Sequence, residues 1–419
     1  MSVSRETSSV RIGQLLSTRQ TIDPRKHPDE VFDLLSIPAF DEGSPETVIG
    51  SQIGSAKLQV SPSDVLVSKI VPHIQRVWVV PPRGDRRQIA SSEWIVLRSN
   101  VAVPDYLRYA LLDSRFHAQF MATVDGLSGS LQRARPQAVK QIEIELPTIP
   151  RQRAIADYLD RETAQIDAFI AKNEELITLL TERRAAVIAG AVLRGLDAAA
   201  ELQDTSVMWL GKVPSHWRVS RLSRWFEVTL GKMLDESKFA GTVGDVLPYV
   251  RASNIKTEQL DLSDVNSMPF TPAEQSKFSL RTGDLVVVEG GSIGVNAPVE
   301  HDMQGWGFQK TVNRVRAIHG DLTRFVGYQL DGIRQAGVLG MLTNVSTIQH
   351  LTAEKLERIV VAMPPVGEQE AIVRHIVRAT SAMDHAIETA EEGVRLASER
   401  RAALISAAVT GKIDVRVAA

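Results

Sequence analysis

The feature that most constrains this chain is an internal duplication. The pentapeptide ERRAA occurs at Glu182–Ala186 and again at Glu399–Ala403. The flanking sequences match at the same spacing, from LPTIPRQRAIADYLD and MPPVGEQEAIVRHIV to VLRGLD and VTGKID. This ungapped match holds about 20 identities in about 52 positions, so the chain contains an internal repeat.

Length and composition indicate a multidomain protein of ordinary composition. The 419 residues are too many for one core and predict roughly two to four domains. The sequence has no Cys, which excludes a disulfide framework and any thiolate metal site and fits a reducing compartment. The net charge is −2, so a contact with DNA would need a local basic face. We recognise neither a membrane span nor a secretion signal and expect a cytoplasmic protein.

The repeat divides the chain into four segments, of which the second and fourth are predicted to be long helices. The segments are residues 1–146, 147–200, 206–363 and 364–419. In each helical segment prolines are followed by about 40 residues without another, and apolar residues such as Ile155, Leu159 and Ile166 recur at helical spacing. A helix of about 60 Å with one apolar stripe needs a partner, and the other copy is the obvious one. The pattern leaves parallel and antiparallel pairing open.

The first and third segments are predicted to be globular and to mix strands with helices. Runs rich in Val and Ile predict strands at residues 77–82, 93–99, 284–291 and 311–318, and residues 103–121 and 322–342 are predicted to be helices. Upstream, FDLLSIPAF resembles LPYVRASNI, and KLQVSPSDVLVSKI resembles KFSLRTGDLVVVEGG. The expected fold class is α+β, with two globular α/β domains separated by two long helices packed as a coiled coil, in a pseudo-two-fold duplication.

The motifs of common catalytic sites are absent or incomplete. GGSIG at residues 290–294 fits the pattern of a nucleophile elbow around Ser292, but VNAPVEHDMQGWG follows where a helix is required. The sequence has no H-E-x-x-H zinc motif, no G-x-G-x-x-G and no phosphate-binding loop. It also lacks the N-P-P-[YF] motif with which amino-methyltransferases hold a target amino group. We therefore predict that the chain has no active site of its own.

Two diverged globular domains, each followed by one copy of a long helix, resemble the DNA-specificity subunit of type I restriction–modification enzymes. The resemblance covers nearly the whole chain. It is sharpest at the junctions IELPTIPRQRAIADYLD and VAMPPVGEQEAIVRHI, at the helix ends, and at WLGKVPSHWRVSRLS, which is similar to the opening of a target-recognition domain. The first half lacks a clear copy of this opening, and Arg151 stands where the second junction has the more usual Glu368.

This resemblance implies a division of labour between subunits. Each target-recognition domain would read one half of a split site in double-stranded DNA, and the helices would hold the two domains a fixed distance apart. The helices would also recruit two methyltransferase subunits and, through them, the restriction and translocase subunits. No cofactor is expected on this chain, since S-adenosylmethionine, ATP and Mg would belong to the partners.

The candidate DNA contacts are polar residues in loops at comparable places in both halves. Ordinary surface polarity is the alternative for each. The candidates are Lys69, Gln75, Arg76, Arg83, Arg86, Arg87, Gln132, Arg133 and Arg135 in the first half, and Ser292, Gln309, Lys310, Gln349 and His350 in the second. Of these, the basic loop PPRGDRR suits phosphate contact.

The ERRAA segments have two interpretations. They are either solvated helix faces near a helix end, where Arg favours the helix dipole, or docking patches for partner subunits. The docking candidates are Glu182, Arg183, Arg184, Glu399, Arg400 and Arg401. For the whole chain, the rival hypotheses are a coiled-coil adaptor without nucleic acid and a hydrolase built on GGSIG.

Overall fold

The computed structural model describes residues 7–18, 20–126, 132–233, 244–342 and 350–415. The chain divides into two compact units. The first consists of Met1–Glu174 with Ala390–Ala419, and the second of Glu175–Thr389. Each unit therefore contains one predicted globular segment together with part of each predicted long helix.

The first unit contains two main sheets. Its strands are β1 (Thr7–Arg11), β2 (Thr21–Ile22), β3 (Val31–Leu35), β4 (Glu46–Ile49), β5 (Lys57–Gln59), β6 (Val65–Ser68), β7 (Val77–Val79), β8 (Arg87–Ala90), β9 (Trp94–Leu97), β10 (Val124–Asp125), β11 (Arg133–Ala134) and β12 (Glu143–Pro147). Its helices are α1 (Ile37–Asp41), α2 (Pro104–Leu112), α3 (Ser114–Met121), α4 (Pro136–Val139) and the beginning of α5 (Ile149–Arg194). The strands pair in the orders β2-β5-β8-β3-β4 and β7-β6-β9, beside the pairs β1-β12 and β10-β11.

The second unit repeats this plan. Its strands are β13 (Leu202–Asp204), β14 (Lys212–Pro214), β15 (Arg218–Arg221), β16 (Phe226–Leu230), β17 (Asp245–Val250), β18 (Ile255–Lys256), β19 (Gln259–Leu260), β20 (Asn266–Phe270), β21 (Leu285–Val288), β22 (Asn296–Pro298), β23 (Gly307–Phe308), β24 (Val312–Ala317) and β25 (Val360–Met363). Its helices are α6 (Pro272–Lys277), α7 (Thr323–Gln335), α8 (Val338–Leu342), α9 (Ala353–Arg358) and part of α10 (Val366–Val409). Its main sheets have the orders β16-β24-β21-β22 and β20-β17-β23.

The loose sequence similarity between the halves corresponds to matching strand pairings. In the first unit β3 lies between the antiparallel β4 and the parallel β8. In the second unit β17 lies in the same way between β20 and β23. The predicted alignment of FDLLSIPAF with LPYVRASNI is thus confirmed at the level of topology.

A buried aspartate paired with an arginine also recurs in both units. Asp64 and Asp284 are each 1% exposed. Asp64 accepts two hydrogen bonds from Arg98 at 2.6 and 2.7 Å, and Asp284 accepts two from Arg316 at 2.6 Å each. These pairs join the strand β6 or β21 to the strand β9 or β24, so the two halves stabilise equivalent sheets in the same manner.

The two shorter predicted helices are each interrupted, which corrects the sequence-based expectation. Residues 103–121 form α2 and α3, because Asp113 adopts an extended backbone and its side chain caps the N–H of Arg115. Residues 322–342 form α7 and α8, separated at Gly337, whose φ of +72° lies in the left-handed region. The apolar pattern continues through both breaks, so periodicity alone could not show them.

The long helices α5 and α10 pack against each other in both units, and they run antiparallel. In the first unit Ile155 and Leu159 share a core with Ile405 and Val409. In the second unit Ile188 and Val192 share a core with Ile372 and Ile376. The start of one helix therefore packs beside the end of the other in each unit. Among the described residues, no helix is long and apolar enough to cross a membrane.

Candidate nucleic-acid interface

In the first unit, the end of β6 lies beside the segment that forms β11. The backbone N–H of Ala134 donates to the carbonyl oxygen of Lys69 at 2.8 Å. Ile70 and Arg133 form a β-bridge, and Gln132 directly precedes it. The fold thus brings together three of the candidate residues, Lys69, Gln132 and Arg133, which are distant in sequence. We call this contact the first junction.

Glu93 holds the two cations of the first junction. Its Oε2 lies 3.9 Å from Lys69 Nζ and 3.5 Å from Arg133 Nε. Lys69 Nζ also donates to the carbonyl oxygen of Ser92 at 2.7 Å. The Lys69 side chain is 23% exposed and that of Arg133 is 52% exposed. One carboxylate against two cations leaves a net positive charge here, and the exposed guanidinium of Arg133 suits an anionic ligand such as phosphate.

A cleft opens next to the first junction. It has a volume of 560 Å³ and is lined by Lys69, Lys140, Gln20, Gln59 and Gln137, together with apolar residues. Lysines and amide side chains are the groups that contact phosphates and base edges. The sequence does not predict the amide-bearing residues of this cleft, because they come from separate parts of the chain, namely the residue before β2, the strand β5 and the helix α4.

The second unit contains an equivalent contact, the second junction. The backbone N–H of Leu351 donates to the carbonyl oxygen of Glu289 at 2.7 Å, and Gly290 forms a β-bridge with His350. A Cβ atom on Gly290 would lie 2.9 Å from His350 Nδ1. A side chain at position 290 would therefore force the imidazole of His350 to move.

The two junctions share backbone geometry and differ in charge. Lys69 in the first corresponds to Glu289 in the second, and Arg133 corresponds to His350. His350 Nδ1 lies 3.5 Å from Glu289 Oε2, so an acid and an imidazole replace a pair of cations. Equivalent positions thus present different chemistry to a ligand.

Gln309 and Lys310 lie beside the second junction. The backbone N–H of Glu289 donates to the carbonyl oxygen of Thr311 at 2.9 Å, and Thr311 Oγ1 donates to Gln309 Oε1 at 3.2 Å. Lys310 is exposed, and its N–H donates to the carbonyl oxygen of Lys232 at 2.9 Å. The fold therefore groups Gln309, Lys310 and His350 around the adjacent ends of β21 and β24.

Ser292 is exposed in the turn between β21 and β22. A nucleophile elbow needs a helix directly after the turn, whereas this turn leads into a strand. The hydrolase hypothesis built on GGSIG therefore lacks its structural context. Gln349, the neighbour of His350, lies outside the described residues.

Gln75 and Arg76 contact a different part of the first unit. Arg76 donates to both carboxylate oxygens of Asp41 in α1 at 2.8 and 3.0 Å, and its side chain is only 11% exposed. This hydrogen bonding lowers the pKa of the Asp41 carboxyl. Gln75 Nε2 donates to the carbonyl oxygen of Leu112 at 3.3 Å. Both side chains are thus engaged in contacts between elements of their own domain.

The basic loop between β7 and β8 is held by acidic residues of its own sheet. Arg86 lies 3.4 Å from Asp33, and Arg87 lies 3.3 Å from Glu30. Arg83 Nε donates to the carbonyl oxygen of Arg86 at 3.3 Å. Arg83 and Arg86 remain exposed, so they keep the accessibility that phosphate contact requires.

Arg135 is tied to the hairpin of β10 and β11. Its Nε lies 3.2 Å from Asp125 Oδ2 and donates to the carbonyl oxygen of Thr123 at 3.3 Å. The side chain is 58% exposed, which leaves its outer face accessible.

The ERRAA segments place their second arginine toward the opposite helix. Arg401 Nε donates to Asp167 Oδ1 at 2.7 Å, and Arg184 Nε donates to Asp384 Oδ1 at 2.6 Å. The preceding residues are exposed, namely Glu182, Arg183, Glu399 and Arg400. Of the six docking candidates, these four are exposed, although Glu399 pairs with Arg395 on its own helix, while Arg184 and Arg401 form ion pairs with the opposite helix.

The glutamines of the repeat secure each junction of globular domain and long helix. Gln152 and Gln369 are 1% and 0% exposed. Gln152 Nε2 donates to the carbonyl oxygen of Pro147 at 2.7 Å, and Gln369 Nε2 donates to that of Pro364 at 2.9 Å. Their Oε1 atoms accept from the backbone immediately before α2 and α7, at 2.7 and 2.8 Å. The repeated prolines and glutamines thus form one motif.

Arg151 and Glu368 occupy equivalent positions of the repeat but have different neighbours. Glu368 accepts a hydrogen bond from Trp217 Nε1 at 3.0 Å and lies 2.8 Å from His216 Nε2. These two residues close the opening motif WLGKVPSHW, which has no clear copy in the first half. Without a Trp–His pair to hold, the first half has no requirement for Glu at position 151.

Acidic residues are what sequence reasoning missed. Glu93, Glu289 and Glu368 each organise one of these contacts, whereas the residue types that predict DNA contact are cations and amides. Of these three residues, only Glu368 could have been found from the sequence, because the equivalent position of the repeat holds Arg151.

Comparison with known proteins gives these features a family context. Residues 214–390 match the model of the type I restriction modification DNA specificity domain. The chain is 24% identical over 259 residues to the type I restriction enzyme EcoKI specificity subunit of Escherichia coli (strain K12), covering 59% of this chain and 52% of that protein. It is 22% identical over 284 residues to the StySPI specificity subunit of Salmonella potsdam, covering 65% and 58%.

The chain thus matches little more than half the length of these curated relatives. A solved structure that concerns complex assembly and conformational transition of the type I R-M system shares the fold, with a TM-score of 0.61 at 19% identity over 98% of this chain and 99% of that one. These matches confirm the resemblance of the chain to the specificity subunits of type I restriction–modification systems.

Proposed function

We propose that this chain is a non-catalytic DNA-specificity subunit that reads a bipartite site in duplex DNA, one half with each unit. The observation that carries this proposal is the equivalence of the two junctions. Each lies at matching strand ends of a duplicated domain, and each presents different polar side chains, Lys69 and Arg133 or Glu289 and His350. Two recognition domains with the same fold and different side chains at equivalent positions suit a DNA site whose halves have different sequences.

The paired helices would serve two further purposes. We propose that they set the spacing between the half-sites and that their surfaces recruit two methyltransferase subunits and, through these, the restriction subunits. A duplicated chain has pseudo-two-fold symmetry and can offer equivalent faces to two identical partners. The exposed residues Glu182, Arg183, Glu399 and Arg400 occupy equivalent positions on those faces.

Catalysis would then belong to the partners. S-adenosylmethionine, ATP and Mg would bind the methyltransferase and restriction subunits, and this chain would position them on DNA. Its own contribution would be selective binding, through phosphate contacts that fix register and side-chain contacts that distinguish bases.

The decisive experiment is to map methylated bases in host DNA with and without this gene, in the presence of the neighbouring methyltransferase subunit. We expect methylation at one bipartite motif that disappears with the gene. An unchanged methylation map would contradict the proposal.

The runner-up function is a coiled-coil adaptor without nucleic acid, which the net charge of −2 permits. Co-purification separates the two. The specificity subunit should co-purify with the methyltransferase, and the complex should bind duplex DNA with an affinity that falls as salt rises. A chain that neither co-purifies with the methyltransferase nor binds DNA would favour the adaptor.

A further inference from the structure

Among the described residues, Arg184 binds two carboxylates, whereas its counterpart in the repeat, Arg401, binds one. Its Nε donates to Asp384 on α10 at 2.6 Å, and its Nη2 donates to Glu258 at 2.5 Å. The side chains of Arg184 and Glu258 are 20% and 18% exposed, so this pair is better shielded from water than a surface ion pair. Glu258 belongs to the globular part of the second unit. Arg184 therefore ties that domain to both long helices.

The backbone at Glu258 is strained. Glu258 lies in the turn of the β18-β19 hairpin with a φ of +64°, a conformation that favours glycine. Its N–H donates to the carbonyl oxygen of Asn296 at 2.9 Å, which holds the turn in place. Such a conformation persists where the surroundings of the residue hold it in place. At Glu258 these surroundings include the ion pair with Arg184.

The surroundings of Glu258 connect the same elements. A groove of 340 Å³ is lined by Glu258, by Arg324 and Tyr328 of α7, and by Thr380 and Asp384 of α10. Burial raises the pKa of Tyr328 to about 12, and the charge of Glu258 adds to this shift. The carboxylate of Glu258 thus lies where the hairpin, α7 and the long helices meet.

In the described part of the first unit, Arg401 pairs with Asp167 and with no second carboxylate. Leu35 of β3 pairs with β8 as Val250 of β17 pairs with β23. Gly43 stands eight residues after Leu35 (35 + 8 = 43), as Glu258 stands eight residues after Val250 (250 + 8 = 258). Gly43 has a φ of +82° and no side chain. Gly43 follows helix α1, whereas Glu258 lies in a β-hairpin, so the first unit has a glycine where the second has a carboxylate that reaches the long helices.

We propose that Glu258 and Arg184 are positioning residues that fix the second target-recognition domain on the paired helices, so that selectivity at the second half-site depends on their ion pair. The first half-site has no such dependence. This inference rests on the proposed function. It concerns how the second target-recognition domain is held relative to the subunits that the helices recruit.

The test compares four substitutions in the complete complex with the methyltransferase. Glu258→Gln removes the charge and keeps the size of the side chain. Glu258→Gly removes the side chain and also relieves the backbone strain, so it should not lower the melting temperature. Asp264→Asn is the matched control, because it removes another ion pair of the same unit, with Arg251, at a carboxylate that is 82% exposed.

Methylation is measured at the intact site and at sites with one mismatched base in either half. We expect Glu258→Gln and Glu258→Gly to lose roughly 3- to 10-fold in the preference for the intact site over sites mismatched in the second half, and nothing in the first half. Glu258→Asp keeps the charge and tolerates a left-handed backbone, and it should restore part of the loss. Asp264→Asn should behave as wild type.

The inference is overturned if Glu258→Gly discriminates between intact and mismatched sites as well as the wild type does. It is also overturned if this discrimination falls equally at both half-sites. Either result leaves the proposed function intact. If the wild-type complex methylates no bipartite site, the proposed function itself fails and the inference fails with it. The two failures are therefore distinguishable from the wild-type data alone.

Discussion

Arg401 donates to Asp167 at 2.7 Å, and each of these two residues has a repeat counterpart that forms the same pair. The counterparts are Arg184 and Asp384, which are 2.6 Å apart. The same interval separates the two arginines (401 − 184 = 217) and the two aspartates (384 − 167 = 217). Each ERRAA segment therefore contacts the aspartate of the other copy, which explains why the chain keeps both elements twice.

Double-mutant cycles should measure this reciprocal pairing. In the first unit, Arg401→Ala and Asp167→Ala should couple by about 0.5 kcal/mol, since the side chains are 30% and 50% exposed. Arg184→Ala and Asp384→Ala should couple more strongly, because Arg184 is 20% exposed. Urea denaturation of the four single and two double variants gives both energies. Equal or absent coupling in both cycles would contradict this prediction.

The buried glutamine of the second helix junction should be important for stability. Gln369 donates to Pro364 and Asp321 and accepts from the N–H of Leu322, at 2.8–2.9 Å. Gln369→Leu leaves these groups without partners and should lower the free energy of unfolding by about 1–3 kcal/mol. Gln137→Ala, at an exposed position, should change it by less than about 0.5 kcal/mol. Similar effects of both substitutions in urea denaturation would contradict the assignment.

Much of the fold could be predicted from the sequence, because its local signals are strong. Periodicity and proline boundaries predicted the two long helices, and Val-rich runs predicted β7, β9, β21 and β24. The breaks at Asp113 and Gly337 were missed, since a cap and one left-handed residue interrupt a helix without changing its apolar pattern. Helix direction also could not be predicted, because one stripe packs equally well in either sense.

The candidate site was less predictable because it depends on tertiary contacts. Lys69 and Arg133 are far apart in sequence, and only sheet formation joins them. Arg76 resembles a DNA contact by residue type, yet its guanidinium is held by Asp41. Residue type alone cannot separate an arginine that binds a carboxylate of its own domain from one that is free to bind phosphate.

Arg133 should contribute a phosphate contact at the first junction. Arg133→Ala in the complex with the methyltransferase should weaken DNA binding and reduce the slope of log K against log salt by about 1. Arg25→Ala is the control, since Arg25 is an exposed arginine of the same unit that pairs with Asp23. Fluorescence anisotropy at several salt concentrations measures both quantities. An unchanged slope in Arg133→Ala would remove Arg133 from the interface.

Asp331 should make the second unit less stable as pH rises. Burial raises its pKa from the ordinary value of 3.8 to about 6, although Arg334 opposes this shift. The folded state binds this proton more tightly than the unfolded state, so the stabilisation is complete below pH 3.8 and is lost as pH rises through about 6. Ionisation then costs on the order of 2–3 kcal/mol.

Asp331→Asn removes this ionisation, so its advantage over wild type should grow between about pH 4 and pH 7 and then level off. Melting temperatures of both proteins across this range provide the measurement. An advantage that shrinks as pH rises would show that the ion pair with Arg334, and not burial, dominates at Asp331.

The length of the helices should determine the spacing between the half-sites. Because α5 and α10 are antiparallel in each unit, a deletion in one helix alone would shift the two out of register. One heptad should therefore be removed from Asn173–Arg183 together with the equivalent heptad from Ala390–Arg400 (173 + 217 = 390; 183 + 217 = 400). This paired deletion shortens each helix by about 10 Å and keeps the apolar stripe roughly in phase.

Sequencing of methylated DNA from the deletion strain should show a spacer shorter by about three base pairs or fewer, since the helices need not lie along the duplex axis. Both half-site sequences should stay the same, because the globular domains are untouched. Removal of two residues from each helix is the control, as it rotates the stripe by about 200° and should abolish assembly. An unchanged spacer with full activity would show that helix length does not determine the spacing. Altered half-site sequences would show that the helices themselves contact bases.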